Sequence, residues 1–141
     1  MRILGIDPGE RRIGLAVSDE LGVAARGLDT FDTKTGGDFV DYVRELVESL
    51  EVGSIVVGNP LRASGEAGES SRRAVELAER LRSRLSIEVT LWDERFSSRE
   101  ARQVMRTSGA PASKRRQKGN VDRIAAIVIL QSYLDSLRER G

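Results

Sequence analysis

The spacing of apolar residues changes along the chain in an order that strongly limits the fold. Runs typical of strands come first. A hairpin is predicted from the apolar runs Ile3–Ile6 and Arg12–Val17, which are separated by the turn residues DPGE. A third, weaker strand is predicted over residues 24–32. Helical spacing then alternates with strand-like runs. The further predicted elements are a helix with Asp38 as N-cap, a strand over Ser54–Gly58, a helix over Ser70–Leu85, a strand over Ile87–Trp92, a short helix ending at Gly109, and a closing helix with Asn120 as N-cap.

Three consecutive strands followed by two strand-to-helix alternations predict an α/β fold on one mixed sheet. We expect five strands, with strands 1 to 3 antiparallel, strands 4 and 5 parallel to strand 1, and helices on both faces. With 141 residues and 39% hydrophobic content, residues 1–141 fit a single domain. Ligands of such sheets bind beyond the carboxyl ends of the parallel strands. Those ends are followed here by Asp7, by the sequence GNP, and by Asp93 and Glu94.

The chain contains no cysteine and no histidine. This excludes zinc–thiolate sites, disulfides and thiol nucleophiles, so an enzyme built on this sequence takes its ligands and bases from other side chains or from bound water. The sequence has no apolar run long enough for a membrane span and no signal-peptide pattern. We therefore expect a cytoplasmic protein without a membrane partner.

Positive charge is concentrated in one stretch, although the net charge is only +1. Residues 95–123 contain nine Lys and Arg and two acids, a local charge of +7 against −6 for the rest of the chain. Such asymmetry is typical of a surface that binds a polyanion, although solvated helix charges explain part of it. Nucleic acid is the partner that this pattern predicts.

Asp7 and Asp122 each have a structural and a functional interpretation. Asp before Pro and Gly is ordinary turn chemistry, and an acid in the first turn of a helix stabilises the helix dipole. However, positions 122, 126, 129 and 133 share a helix face that is small and apolar near its start, so Asp122 heads a face that packs inward. The small alanines would let this helix approach strand 1 and bring Asp122 towards Asp7.

Carboxylates that crowd together raise one another's pKa unless a cation lies between them. Mg²⁺ or Mn²⁺ prefers oxygen ligands and takes few protein carboxylates, leaving positions for water and phosphate. Phosphodiester hydrolysis at such a site requires no histidine.

Four segments of the sequence contain the acidic and glycine residues discussed above, namely GIDPGERRIGLAVSD, VGNP with Gly65 after it, DERFSSREA, and NVDRIAAIVILQSYL. In this order, the four segments resemble the YqgF/RuvX family of RNase H-like, RuvC-type nucleases. The resemblance implies an RNase H-like fold and a divalent-metal site whose catalytic and ligating residues are Asp7, Glu94 and Asp122, with Asp93 as a further candidate ligand. It also implies maturation of the 5′ end of pre-16S rRNA in ribosome biogenesis or, alternatively, resolution of Holliday junctions.

One departure from the wider RuvC-type pattern concerns the middle carboxylate. Those resolvases carry it on the strand that corresponds to SIVVGNP, which has no acid here. We therefore expect the middle carboxylate to come from the end of strand 5, which lies one strand further out, at a spacing of about 5 Å. The longer side chain of Glu94 spans that distance better than the side chain of Asp93.

Nucleic-acid binding is expected from cations that flank the acidic positions. These are Arg12, Arg95, Lys114, Arg115, Arg116 and Lys118. A non-catalytic binder or ribosome-assembly factor would use the same surface, as a monomer or a homodimer. An actin-like phosphotransferase also begins with a strand and DxG, but it needs two lobes, for which 141 residues are too few.

Overall fold

The described part of the protein, in a computed structural model, comprises residues 1–60, 68–93 and 118–140, with side chains described for 123–139 of the last segment. The strands are β1 (Arg2–Asp7), β2 (Arg12–Ser18), β3 (Ala25–Gly27), β4 (Phe31–Asp32), β5 (Val52–Asn59) and β6 (Glu88–Asp93). The helices are α1 (Phe39–Ser49), α2 (Glu69–Arg84) and α3 (Lys118–Arg140). The predicted short helix that ends at Gly109 lies outside the described residues.

The strands form one mixed sheet, as predicted. Its order is β3-β2-β1-β5-β6, and β4 also pairs with β2. β1 pairs antiparallel with β2, which pairs antiparallel with β3 and β4, whereas β5 is parallel to both β1 and β6. The parallel strands β1, β5 and β6 therefore end at the same edge, which we call the carboxyl edge.

The sheet has six strands rather than the five expected, because the predicted third strand is interrupted at Leu28–Thr30. The Leu28 N–H still donates to the Leu15 carbonyl of β2 at 2.9 Å. The Leu28 carbonyl, however, accepts a hydrogen bond from the Arg123 side chain at 3.0 Å. At the point where the strand is interrupted, the backbone carbonyl is thus hydrogen-bonded to a side chain of α3.

The larger hydrophobic core lies between the sheet and helices α1 and α2. Leu4, Ile6 and Leu15 of the sheet are fully buried there, together with Val43 of α1 and Leu81 of α2. Helix α1 begins as predicted, since the Asp38 side chain accepts a hydrogen bond from the Asp41 N–H at 3.1 Å. Helix α2 also matches its predicted position to within one residue at each end.

The opposite face of the sheet is covered by α3 through a smaller core. Ala16 of β2 packs there with Ala126, Leu130 and Leu134, all at most 1% exposed. A Cβ atom at Gly5 would lie 2.8 Å from the Leu130 Cβ, closer than side-chain carbons approach. Small residues thus allow α3 to lie close to β1 and β2, as the sequence predicted.

The start of α3 differs from the prediction, because the helix begins at Lys118 and Asn120 lies within its first turn. The prediction of Asn120 as N-cap was wrong. A capping preference contributes only about 1 kcal/mol, and nothing in the two preceding residues prevents a helical backbone. Within the described ranges, no helix is both long and apolar enough to cross a membrane.

Candidate active site at the carboxyl edge

Asp7 is the last residue of β1 and pairs in register with Gly14 of β2. Side chains alternate along a strand. Leu4 and Ile6 belong to the α1/α2 core, whereas Ile3 packs with the α3 cluster and Gly5 lies under Leu130. Asp7 therefore lies on the α3 face of the sheet. It is half-buried there, and it is a paired strand residue as well as the start of a turn.

The turn after Asp7 is held in a tight conformation by its own backbone. A Cβ atom at Gly9 would lie 2.1 Å from the Arg12 carbonyl oxygen, so only glycine fits at this position. This close approach explains why glycine occupies position 9.

Arg12 lies beside Asp7 on the same face of the sheet. It is two residues from Gly14 on β2, which makes it a diagonal neighbour of Asp7, at a typical separation of about 7–8 Å. Its register partner, Asp32, accepts hydrogen bonds from the Lys34 N–H at 2.8 Å and from Arg11 Nε at 3.2 Å. The Lys34 N–H and, to a smaller extent, Arg11 lower the pKa of Asp32.

The helix that carries Asp122 crosses the same face. Ala126 is buried with Ala16, and Arg123 contacts the Gly27–Leu28 segment of the edge strand. The backbone of position 122 lies about one helical turn, or about 5.4 Å along the axis, before Ala126. The backbone position of Asp122 is thus in the first turns of α3 on the Asp7 face, while its side chain lies outside the described atoms.

Asp93 ends β6 on the other face of the sheet. Val89 and Leu91 pack with the α1/α2 core, whereas Trp92 faces α3, where its Nε1 donates to Ser132 Oγ at 3.2 Å. The Trp92 ring also packs edge-on against Tyr133, with centroids 5.4 Å apart, which is a packing role. By the alternation of the strand, Asp93 points away from the face of Asp7, two strands distant.

Asn59 of the sequence GNP, which was not among the predicted site residues, lies at the carboxyl edge as expected for that sequence. It pairs in register with Asp93 and accepts a 2.6 Å hydrogen bond from Ser71 Oγ, a hydroxyl that is only 1% exposed. This bond ties the end of β5 to the first turn of α2. The signal in the sequence was the polar residue of GNP directly after a buried apolar run.

The remaining predicted site residues lie outside the described side chains. Glu94, Arg95, Lys114, Arg115 and Arg116 belong to segments that the structure does not describe, and Lys118 is known only as the first residue of α3. Among the described side chains, no three carboxylates come together in a way that could hold a metal ion. Asp7 and Arg12 are thus the predicted residues whose positions on the α3 face are described.

A mixed sheet with antiparallel β1–β2–β3, parallel β5 and β6, and a carboxylate of β1 facing a late helix defines an RNase H-like fold of the RuvC type. A Thermus thermophilus RuvC structure matches with a TM-score of 0.57, 16% identity and 96% coverage of both chains. The fowlpox virus resolvase in complex with Holliday junction DNA matches with a TM-score of 0.60, 10% identity and coverage of 97% of this chain and 99% of the other. At these identities, the matches establish the fold alone.

The chain belongs to the RuvX (YqgF) family, whose model, described as "Holliday junction resolvase", matches residues 1–136. A relative from Syntrophus aciditrophicus is 45% identical over 139 residues, covering 99% of this chain and 91% of the relative. One from Thermoanaerobacter pseudethanolicus is 36% identical over 140 residues, covering 99% of this chain and all of the relative. Both are named "Putative pre-16S rRNA nuclease".

Proposed function

We propose that this protein is a divalent-metal-dependent nuclease of the cytoplasm that hydrolyses phosphodiester bonds at the 5′ end of pre-16S rRNA. The observation that carries the proposal is the position of Asp7, half-buried at the carboxyl edge on the face crossed by the helix of Asp122. The names of relatives that align with 99% of this chain support pre-16S rRNA as the substrate.

Asp7, Glu94 and Asp122 are the proposed ligands of Mg²⁺ or Mn²⁺. Carboxylate oxygens suit these ions, and Asp7 presents one at a strand end that remains partly open to solvent. The orientation of Asp93 towards the α1/α2 face favours Glu94 as the ligand from the segment after β6. When bound, the ion supplies the Lewis acidity that phosphodiester hydrolysis needs in a chain without histidine.

In this proposal, residues of the chain itself bind and position the substrate. Arg12, beside Asp7, offers a guanidinium to a substrate phosphate, and Arg95, Lys114, Arg115, Arg116 and Lys118 extend this positive surface in the proposal. Half-burial of Asp7 limits its mobility, which keeps its carboxylate oriented at the edge. The basic side chains bind phosphates, so they position the strand and do not read its sequence.

A second candidate substrate is the Holliday junction. The family description and the resolvase fold favour it. A non-catalytic role in ribosome assembly would use the same basic surface.

A matched pair of substitutions tests the nuclease proposal. Asp7→Asn removes a ligand on the α3 face, whereas Asp93→Asn makes the same charge change on the other face. With Mn²⁺, we expect the wild type and Asp93→Asn to cleave a pre-16S rRNA fragment, and Asp7→Asn and Glu94→Gln to lose cleavage while binding at least as tightly. A four-way DNA junction assayed in parallel identifies the substrate. Cleavage by Asp7→Asn at the wild-type rate would refute the assignment.

A further inference from the structure

The face of the sheet opposite Asp7 carries an open cleft of about 340 Å³ next to the β1–β2 turn. Its floor is apolar and includes Ile13, Phe39 and Leu77, which are all at most 8% exposed. Its walls are the turn at Gly9 and Glu10, the segment before α1, and helix α2. This volume and this mixture of an apolar floor with a few polar groups are typical of a site for a small ligand.

Two arginines of α2 line the cleft on either side of the apolar floor. Arg73, Leu77 and Arg80 are spaced four and three residues apart, so they share one face of the helix. The two arginines are separated by about 10 Å along the helix axis. A ligand that places an apolar ring over Leu77 would therefore have a guanidinium near each end.

These two cations are available to an anionic ligand. Arg73 lies 3.8 Å from Glu10, but the Glu10 side chain is 87% exposed, and such surface pairs contribute little stability. Within the described ranges, the structure records no ion pair or hydrogen bond for the guanidinium of Arg80. A phosphate can thus displace Glu10 from Arg73 and bind Arg80 at low cost.

The acid on the opposite wall does not compete for these cations. Asp38 caps α1 through the Asp41 N–H and pairs with Arg84 at 3.5 Å. These interactions, the Asp41 N–H first, lower its pKa, so its charge is engaged within the fold.

We propose that this cleft binds one unstacked nucleotide of a single-stranded polynucleotide, with the base over Leu77 and flanking phosphates at Arg73 and Arg80. The inference rests on the proposed function, since it identifies the polyanion as the substrate strand. The cleft and Asp7 lie on opposite faces but flank the same β1–β2 turn. A strand that crosses this turn would contact both.

Fluorescence anisotropy measures the binding of a labelled oligonucleotide to the wild-type protein and to each variant. EDTA is present throughout, so that no strand is cleaved. Arg73→Ala and Arg80→Ala should each weaken binding of a single-stranded oligonucleotide by about tenfold and reduce the salt slope by about 0.7. Arg72→Ala is the matched control, because Arg72 is an exposed arginine of the same helix that does not line the cleft. Glu10→Gln, which removes the competing carboxylate, should tighten binding.

Double-stranded oligonucleotide of the same sequence distinguishes a nucleotide cleft from a general basic surface. Its affinity should change equally in Arg72→Ala and in the two cleft variants. The inference fails if Arg73→Ala and Arg80→Ala weaken single-strand binding no more than Arg72→Ala, or if they weaken duplex binding as much as single-strand binding. Because no cleavage is measured, failure of the nuclease proposal in the Asp7→Asn assay is a separate result.

Discussion

The close approach of Gly27 and Arg123 allows a quantitative test of how α3 is attached to the sheet. A Cβ atom at Gly27 would lie 2.3 Å from Arg123 Cγ and 2.6 Å from Cδ. The first distance is about 1.2 Å shorter than the closest favourable carbon–carbon separation of about 3.5 Å. Gly27→Ala should therefore displace the Arg123 side chain and break its 3.0 Å hydrogen bond to the Leu28 carbonyl.

The size of the effect follows from that hydrogen bond. A bond from a charged donor contributes about 1.5–3 kcal/mol, which we reduce to about 1–2 kcal/mol because water can partly replace it. The Arg123 side chain is 41% exposed, and its pair with the 94% exposed Asp29 adds little. Gly27→Ala and Arg123→Ala should thus each lower the free energy of unfolding by about 1–2 kcal/mol.

The double variant separates this explanation from a general loss of stability. Once Arg123 is shortened to alanine, the collision at position 27 with Cγ and Cδ is gone, and only Ile127 Cδ1 at 3.1 Å remains to adjust. The double variant Gly27→Ala/Arg123→Ala should therefore be about as stable as either single variant. The two substitutions would then show a coupling energy of about 1–2 kcal/mol, measured by urea denaturation followed by circular dichroism. Arg138→Ala near the other end of α3 is the control, with no coupling to position 27. Additive effects of Gly27→Ala and Arg123→Ala would refute the reasoning.

Two further predictions concern a helix cap and the basic segment before α3. Asp38→Ala should destabilise the fold at pH 7, and because the pKa of Asp38 is lowered in the folded state, the difference from wild type should narrow as the pH falls below about 4. Equal urea midpoint differences at pH 7 and pH 3 would show that the carboxylate charge plays no part. Changing Lys114, Arg115, Arg116 and Lys118 to Ala should reduce the slope of log K against log salt, where K is the binding constant for RNA. The reduction should be about 0.7–0.9 for each phosphate that is no longer neutralised, and an unchanged slope would show that the segment is only solvated.

The sheet and its helices were predictable where local pattern and tertiary packing agree. The hairpin at Asp7, the cap at Asp38 and the inward face at Ala126 are such cases, since periodicity alone indicates which side is buried. The interruption at Leu28 was not predictable from local pattern, since the partner of the Leu28 carbonyl there is Arg123, 95 residues away. Asn120 failed as a cap for a related reason, since local preference is a small term compared with the packing of a whole helix.

Of the predicted site residues, the structure describes the positions of Asp7, Arg12 and Asp93, and the roles assigned to them stay predictions. Asp7 followed from its place after a strand, and side-chain length favours Glu94 over Asp93. The structure adds a different reason, because Trp92 packs on α3 and so places Asp93 on the other face. The face that Asp93 occupies depends on which strand residues face which helix, and the sequence of a half-buried edge strand does not contain this information.

The attachment of α3 determines when one face of the sheet becomes covered during synthesis of the chain. The hydrogen bond between Ala25 and Gln131 joins residues that are 106 positions apart, and α3 covers β1 and β2 from the far end of the sequence. Synthesis proceeds from the N-terminus, and interactions of such long range form late. A nascent chain whose α3 is still inside the ribosome therefore leaves the α3 face of β1 and β2 uncovered, and the smaller core on that face forms only after α3 has emerged.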